Sequence, residues 1–424
     1  MTLTEFKPRR LHWVALWLLV VSVCINYADR GTLGVAAKNL ELELHLQPEQ
    51  LGTLAAAFSM TYAVFLLAAG KLIDRFNVNW LFAMAFLLWS ASTSATGLAN
   101  TFWEIFILRL VLGVAESIAY PAYSKMIVTS FPEQLRGTAN GLIDAGSKLG
   151  PAVGIWLGVK MIEWFSWRGM FLVMGGASLF WLIPWCIIAP KLPSKPISSA
   201  PAVNWSAGYM EILSKRAFWG TAIGLFGGNY AWYFLLNWLV YYFQTERHYT
   251  HDKLAIFGSV PFLVVALASM LFGIVADRII GRGKNAGRVR QVFLCTGLAL
   301  CGFFIFSAIL VKGEFESNAL LILAFFSLGA WSSNHWALSQ TLAGPESAGQ
   351  WTALQNCLGN LAGVLGPMVT GWSLQTTHSF FGAFAIACVF LLFGVFGYWA
   401  VVGKPAQVLR NPHISDQPNL AYIK

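Results

Sequence analysis

The sequence predicts an all-α membrane protein of twelve transmembrane helices in two pseudo-symmetric six-helix bundles. Three observations carry this. Of 424 residues, 57% are hydrophobic and 11% charged, against about 25% charged in a soluble domain. Apolar runs of about 20 residues, long enough to cross a bilayer, recur along the whole chain. Elements of the first half also return in the second at a fixed offset of 203 residues.

The first six spans are predicted at about 11–37, 50–72, 78–98, 102–127, 134–162 and 168–189. The second six follow at about 217–245, 253–279, 290–312, 318–343, 348–375 and 378–402. Between them, Pro190 to Pro201 holds four prolines, three serines and two lysines. That composition breaks helices and marks a linker. The chain therefore divides into a bundle at 1–189, a cytoplasmic linker at 190–216, a bundle at 217–402 and a cytoplasmic tail at 403–424. Lys7, Arg9 and Arg10 before the first apolar run mimic a signal peptide. That run is long, leads into Asp29-Arg30 and is followed by more spans, so an uncleaved first helix is expected.

Counting Lys and Arg gives the orientation. With the N-terminus inside, inner segments carry 19 and outer loops, such as those with Lys38, Lys160 and Lys253, carry six. Basic loops stay in the cytoplasm, so both termini are expected there, in a multi-pass protein of a bacterial inner membrane. The net charge of +9 belongs to these loops and forms no stripe with aromatics, so it does not indicate nucleic acid. The six cysteines (Cys24, Cys186, Cys295, Cys301, Cys357, Cys388) fall in apolar segments without a CxxC pair. They indicate neither a metal site nor disulfides.

The repeat is explicit. Gly70-Lys-Leu-Ile-Asp-Arg75 after the second span returns as Gly273-Ile-Val-Ala-Asp-Arg278 after the eighth. In the same register Asn26-Tyr27-Ala28 falls on Asn229-Tyr230-Ala231. Secondary transporters are commonly built from repeats, with the binding site at their interface near mid-membrane. Where the first half has Asp29-Arg30, the second has Trp232-Tyr233. One half supplies charge and the other aromatics.

Six ionisable residues fall inside spans: Asp29, Arg30, Arg109, Glu116, Asp144 and Lys148. Each costs roughly 2.5–3.5 kcal/mol at a helix centre on insertion scales, so a function is the default reading. The set sums to zero charge. Arg109 and Glu116, seven apart, share a helix face. Asp144 and Lys148, four apart, can pair within one span, with a structural ion pair as the competing reading. Asp74, Arg75, Asp277 and Arg278 in the repeated loops can cap helices and latch the inner side, or be solvated turns. Gly146, Gly150, Pro151 and Gly154 interrupt the fifth span as Gly359, Gly363, Gly366, Pro367 and Gly371 interrupt the eleventh. Asn356 and Asn360, with Ser333, Asn334 and His335, could meet hydroxyls of a ligand. Ser147, Trp232 and Tyr233 are further candidates beside them.

These features together resemble the major facilitator superfamily: twelve spans, a central linker and a duplicated Gly-x-x-x-Asp-Arg loop. Asn26-Tyr27-Ala28-Asp29-Arg30, Arg109 with Glu116, and Gly359-Asn360-Leu361 before Gly366-Pro367 are similar to the anion:cation symporter family. That family includes bacterial galactonate and hexuronate transporters, sialin and the vesicular glutamate transporters. The resemblance implies alternating access and proton-coupled uptake of a carboxylated sugar. It implies that Asp29 and Glu116 carry protons and Arg30 holds the substrate carboxylate. Arg109 would bind or pair with the acids, Tyr27 and Tyr62 would line the site, and Ser333 and Asn356 would meet hydroxyls. Two departures stand out: Phe76-Asn77-Val78-Asn79 lacks basic residues after the first Asp-Arg, and Asp144 and Lys148 lie outside the pattern.

The function expected is thus proton-coupled symport of a small organic anion, a hexuronate or aldonate, by a chain working as a monomer without a cofactor other than protons. A carrier of aromatic or dicarboxylic acids, or a drug exporter, is the alternative; two buried guanidiniums argue for an anion. A membrane enzyme is disfavoured because HExxH, GxSxG and His/Cys metal spacings are absent from the sequence. A sensor would call for a larger extramembrane segment.

Overall fold

The computed structural model describes residues 10–131, 133–193, 205–344 and 347–406. The described residues are almost wholly helical, with no strand among them. The first half holds α1 (Arg10–Leu44), α2 (Pro48–Arg75), α3 (Val78–Thr96), α4 (Phe102–Glu116), α5 (Ala119–Ser130), α6 (Glu133–Ser178) and α7 (Leu182–Ile188). A short helix α8 (Trp205–Ser214) follows. The second half holds α9 (Arg216–Thr245), α10 (His251–Gly281), α11 (Ala286–Leu310), α12 (Glu314–Ala343), α13 (Ala348–Asn360), α14 (Ala362–Thr377) and α15 (Phe380–Phe396). Eight of the described helices are long and apolar enough to cross a membrane. The 30-residue α9 is not among them, because Asn229, Trp232, Tyr233 and Asn237 dilute its apolar content.

The elements differ from the sequence reading in three places. The fourth span is broken into α4 and α5 at Ser117 and Ile118. Pro121 explains the break: it has no N–H for the Ser117 carbonyl four residues back, and its ring crowds that carbonyl. Between the fifth and sixth spans the expected break is present: two helices meet within α6 across a kink at Ser166 (φ 85°). The eleventh span is split at Leu361 into α13 and α14. The stretch read as linker contains α8, which starts after its last proline, Pro201.

The repeat is visible in the backbone. α1 ends at Leu44 and His45 turns left-handed, with φ 52°. Its repeat mate His248 follows the end of α9 with φ 52° as well. Left-handed closure after a helix is common, but usually at glycine. The same residue type at the same register is a signature of duplication in the fold itself.

Two apolar clusters hold the chain together. One stays within the first half, where Phe82, Phe86 and Trp89 of α3 pack on Trp181 and Trp185. Trp181 stacks on Phe86 at 4.2 Å, and its indole donates to the Leu18 carbonyl at 2.8 Å, so its polar edge is satisfied. The other cluster runs from Leu33–Leu40 of α1 and Leu51–Ala55 of α2 into α9, α10 and α12, and so joins the halves. Glycine permits the closest approaches. A methyl at Gly150 in α6 would lie 2.6 Å from the Cys24 carbonyl and the Tyr27 Cβ of α1. At Gly34 it would lie 2.6 Å from the Asn237 carbonyl of α9.

The contacts between the halves gather at the end of the bundle where α1 finishes and α10 begins. There Tyr241 donates to Glu41 at 3.0 Å, and Lys160 pairs with Asp252 at 2.6 Å. At the opposite end lie the start of α1 and the close of the C-terminal helix. α6 rises from that opposite end, and Asp144, between that end and Lys160, keeps its side chain 60% exposed. The molecule is therefore closed at one end and open toward the end where α1 starts and α15 finishes.

Candidate functional site

Between the halves lies a cavity of about 250 Å³. The first half contributes Tyr27, Arg30, Tyr62, Tyr120, Asp144 and Lys148 to it, and the second Trp232, Tyr233, Trp331, His335, Asn356 and Asn360. Ser147 also lines it, its hydroxyl donating to the Asp144 carbonyl at 2.7 Å.

Arg30 is its central feature. α1 carries it to mid-span, buried to 4% exposure. Its Nε donates to Glu116 Oε2 at 2.9 Å. The guanidinium carbon lies 4.5 Å from the Tyr27 ring centre, 4.8 Å from Phe58 and 4.7 Å from Tyr62. Aromatic faces attract a cation, strongly so where water is excluded. The fork is thus fixed by one carboxylate and three rings. Its Nη2 is buried and has no hydrogen-bond partner among the described residues. A buried donor of this kind calls for an acceptor.

Asp29, Arg109 and Glu116 do not line the cavity; they lie behind Arg30 inside the first half. Glu116 is fully buried, with Arg30, Arg109 and Asn26 as its polar and charged neighbours. Arg109 is carried by α4 to the back of Phe58's surroundings, 5.4 Å from that ring. Asp29 faces Thr93, Arg109 and Glu116. The geometric reason is one step along α1: Asp29 is adjacent to Arg30 and so points about 100° away from it. Arg109, expected at the substrate, is therefore a member of the inner charge cluster. Ser333 is likewise off the cavity wall. Its hydroxyl bonds the Gly329 carbonyl at 3.2 Å and accepts from Asn334, while its neighbour Ser332 faces the cavity.

The second half forms an amide and aromatic wall. Tyr233, the repeat mate of Arg30, donates to Asn360 Oδ1 at 2.8 Å, and Asn360 Nδ2 donates to Asn356 Oδ1 at 2.9 Å. His335 stacks on Trp331 at 4.8 Å. Tyr120, Trp331 and Trp336 line the cavity without having been singled out. The spacing of Trp331, Ser332, His335 and Trp336, one face of one helix, was the available signal.

Lys148 bonds Asp144 at 2.7 Å, with side-chain exposures of 11% and 60%. The pair expected from the spacing is formed, and it stands in the cavity wall, half solvated. Its worth falls between the roughly 0.2–1 kcal/mol of exposed pairs and the roughly 3–5 kcal/mol lost when a buried pair is broken. Asp144→Asn should lower expression and uptake more than Asp144→Asn combined with Lys148→Gln, since the single change strands a buried ammonium. A double variant no better than the single, in the same uptake assay, would show that the two residues do not act as a pair.

The repeated Asp-Arg pairs, read as loops in the sequence, fall within the last turns of α2 and α10. Arg75 and Arg278 are exposed, Arg75 resting 5.8 Å from its neighbour Phe76. Asp277 is 76% exposed and 3.9 Å from Arg290. The side chain of Asp74 lies outside the described residues.

A family model described as Major Facilitator Superfamily matches residues 19–367. The chain belongs to that superfamily. This major facilitator is thus a transporter, and not an enzyme. It is 28% identical over 406 residues to a hexuronate transporter of Bacillus subtilis (strain 168), covering 93% of this chain and 96% of the relative. It is 27% identical over 424 residues to the D-galactonate transporter of Escherichia coli O6:H1, covering 95% and 98%. The same fold appears in the crystal structure of a bacterial homolog of the human lysosomal transporter Spinster, inward-facing and unoccupied. The TM-score there is 0.81 at 16% identity, over 98% of this chain and 100% of that one.

Proposed function

We propose that this transporter carries a small carboxylated sugar, a hexuronate or aldonate, in symport with protons by alternating access. The carrying observation is Arg30: a guanidinium at the cavity wall, held from behind by a carboxylate that the cavity does not reach, with a buried Nη2 that still lacks a partner among the described residues. A substrate carboxylate docks on the guanidinium as it turns into the cavity, and the amides and phenols opposite meet its hydroxyls. The relatives named for hexuronate and D-galactonate support the same class of cargo.

The coupling follows from charge balance. In the Arg30–Glu116 pair the carboxylate balances the arginine. A proton on Glu116 removes the competing anion and turns Arg30 toward the substrate. Asp29, behind it, balances Arg109 in the same way. Each proton that enters with the anion keeps the buried set near neutral, as a low-dielectric interior requires. In this reading the twelve crossings form two rocking six-helix bundles, 1–189 and 217–402, joined by 190–216. Both termini are cytoplasmic and the chain works as a monomer. The open end is then the cytoplasmic one.

A thermal-shift screen of purified protein against uronates, aldonates, aromatic acids and dicarboxylates, followed by proteoliposome uptake, tests the cargo. Stabilisation and uptake confined to aromatic acids or dicarboxylates would overturn the sugar-acid assignment. Alternating access is tested at the closed end. Lys160→Ala removes a partly exposed ion pair of about 0.2–1 kcal/mol, so the closed-to-open ratio should fall by up to about fivefold. A cysteine at position 62 should then react faster with an impermeant thiol reagent added from that side. An unchanged rate in Lys160→Ala and in Lys160→Ala with Tyr241→Phe would exclude these contacts as the latch.

A further inference from the structure

The closed end holds a second cavity, of about 320 Å³, as roomy as the central one and separate from it. It is built from both halves. α1 gives Lys38 and Asn39, α9 gives Gln244, and His248 and His251 stand at its exposed rim.

The repeat explains why it is there. Lys38 and Glu41 of α1 fall, at the 203-residue offset, on Tyr241 and Gln244 of α9. A symmetric seam would make two contacts between these helices. One is made: Tyr241 donates to Glu41 at 3.0 Å. Its mirror image would join Lys38 to Gln244. Instead Lys38 donates to Glu41 at 2.9 Å, and both Lys38 and Gln244 border the cavity. Gln244 Oε1 is buried without a hydrogen-bond partner among the described residues. An ammonium has three donors, and Lys38 uses one of them on Glu41. The open half of the seam therefore leaves an ammonium with two spare donors and a side chain whose orphaned carbonyl lies just beneath the wall of a space large enough for a small solute.

We propose that this cavity is a second binding site, for a hydroxylated carboxylate, that exists only while this end of the transporter is closed. The carboxylate meets Lys38, Gln244 turns its Oε1 out of the wall to accept from a hydroxyl, and Asn39 supplies further amide contacts. The inference rests on the cargo class proposed above. Because the site spans both halves, a bound anion must leave before they part. A ligand that binds one state only holds that state, so the cavity acts as a brake at high concentration on that side.

Equilibrium binding of radiolabelled D-glucuronate and D-galactonate to the purified full-length protein tests this. Wild type should bind two molecules per chain. Arg30→Gln with Glu116→Gln, which removes both charges of the central pair, should bind one. Adding Lys38→Gln should leave none, whereas adding Lys38→Arg should keep the one. Gln244→Ala in the same background should weaken it severalfold without changing the elution profile of the protein. Total loss of binding in the Arg30→Gln, Glu116→Gln protein, with one site in wild type, overturns the second site and leaves the cargo assignment standing. No binding of either sugar acid by wild type overturns both.

Discussion

Arg30→Lys is expected to weaken binding of the sugar acid by about 10- to 100-fold, the range set by losing one charge-assisted hydrogen bond. The charge is preserved, so a purely Coulombic site would tolerate the change. The geometry of Arg30 is not Coulombic. One edge of its fork bonds Glu116 at 2.9 Å while Nη2 stays free, and the plane lies among Tyr27, Phe58 and Tyr62. An ammonium is a compact point charge and cannot present two edges in a fixed plane. Lysine would serve Glu116 or the substrate, not both. Titration of the purified variant with D-galactonate, followed by thermal shift, measures this. Equal affinity in Arg30→Lys and wild type would remove Arg30 as the carboxylate anchor.

Glu116→Gln is expected to separate binding from coupling. The amide mimics a permanently protonated carboxyl and nearly matches its shape in a site with no exposed surface. Arg30 is then always free to face the anion. The variant should bind substrate and exchange it by counterflow at a rate comparable with wild type, yet lose accumulation driven by a pH gradient. Asp29→Asn should also impair proton-driven uptake, because its carboxylate is the other acid in the buried cluster with Arg109. Counterflow and gradient-driven uptake in the same proteoliposomes distinguish the outcomes. Accumulation against a gradient with normal pH dependence in Glu116→Gln would exclude Glu116 as a required proton site.

Much of the cavity was legible because charge and amide groups are expensive in a membrane and therefore conspicuous. Arg30, Asp144, Lys148, Asn356 and Asn360 announce themselves by chemistry alone, and Tyr27 and Tyr62 by the family pattern. Tyr120, Trp331 and Trp336 did not, since an aromatic ring in an apolar helix reads the same whether it faces a cavity, a neighbouring helix or lipid. Depth was also illegible. Residue type shows that Asp29, Arg30, Arg109 and Glu116 belong together, but only the helix azimuth puts Arg30 at the wall and the other three behind it. The break between α4 and α5 was readable in principle from Pro121, because a proline takes its toll four residues upstream. The split at Leu361 is flanked by glycines that read as interruptions, but their spacing does not tell a bend from a break.

At Gly34 the contact of α1 with α9 is backbone on backbone, against the Asn237 carbonyl, with no side chain between. Interdigitated side chains behave like gear teeth: to slide, each must climb over its neighbour. A smooth contact has no teeth and behaves as a bearing. At this point resistance to movement is left to the rim, in Tyr241 with Glu41 and Lys160 with Asp252, and to the apolar cluster the halves share. The pivot itself turns easily and needs a catch. The residue that makes it so carries no charge, binds nothing and contributes only by taking up no room.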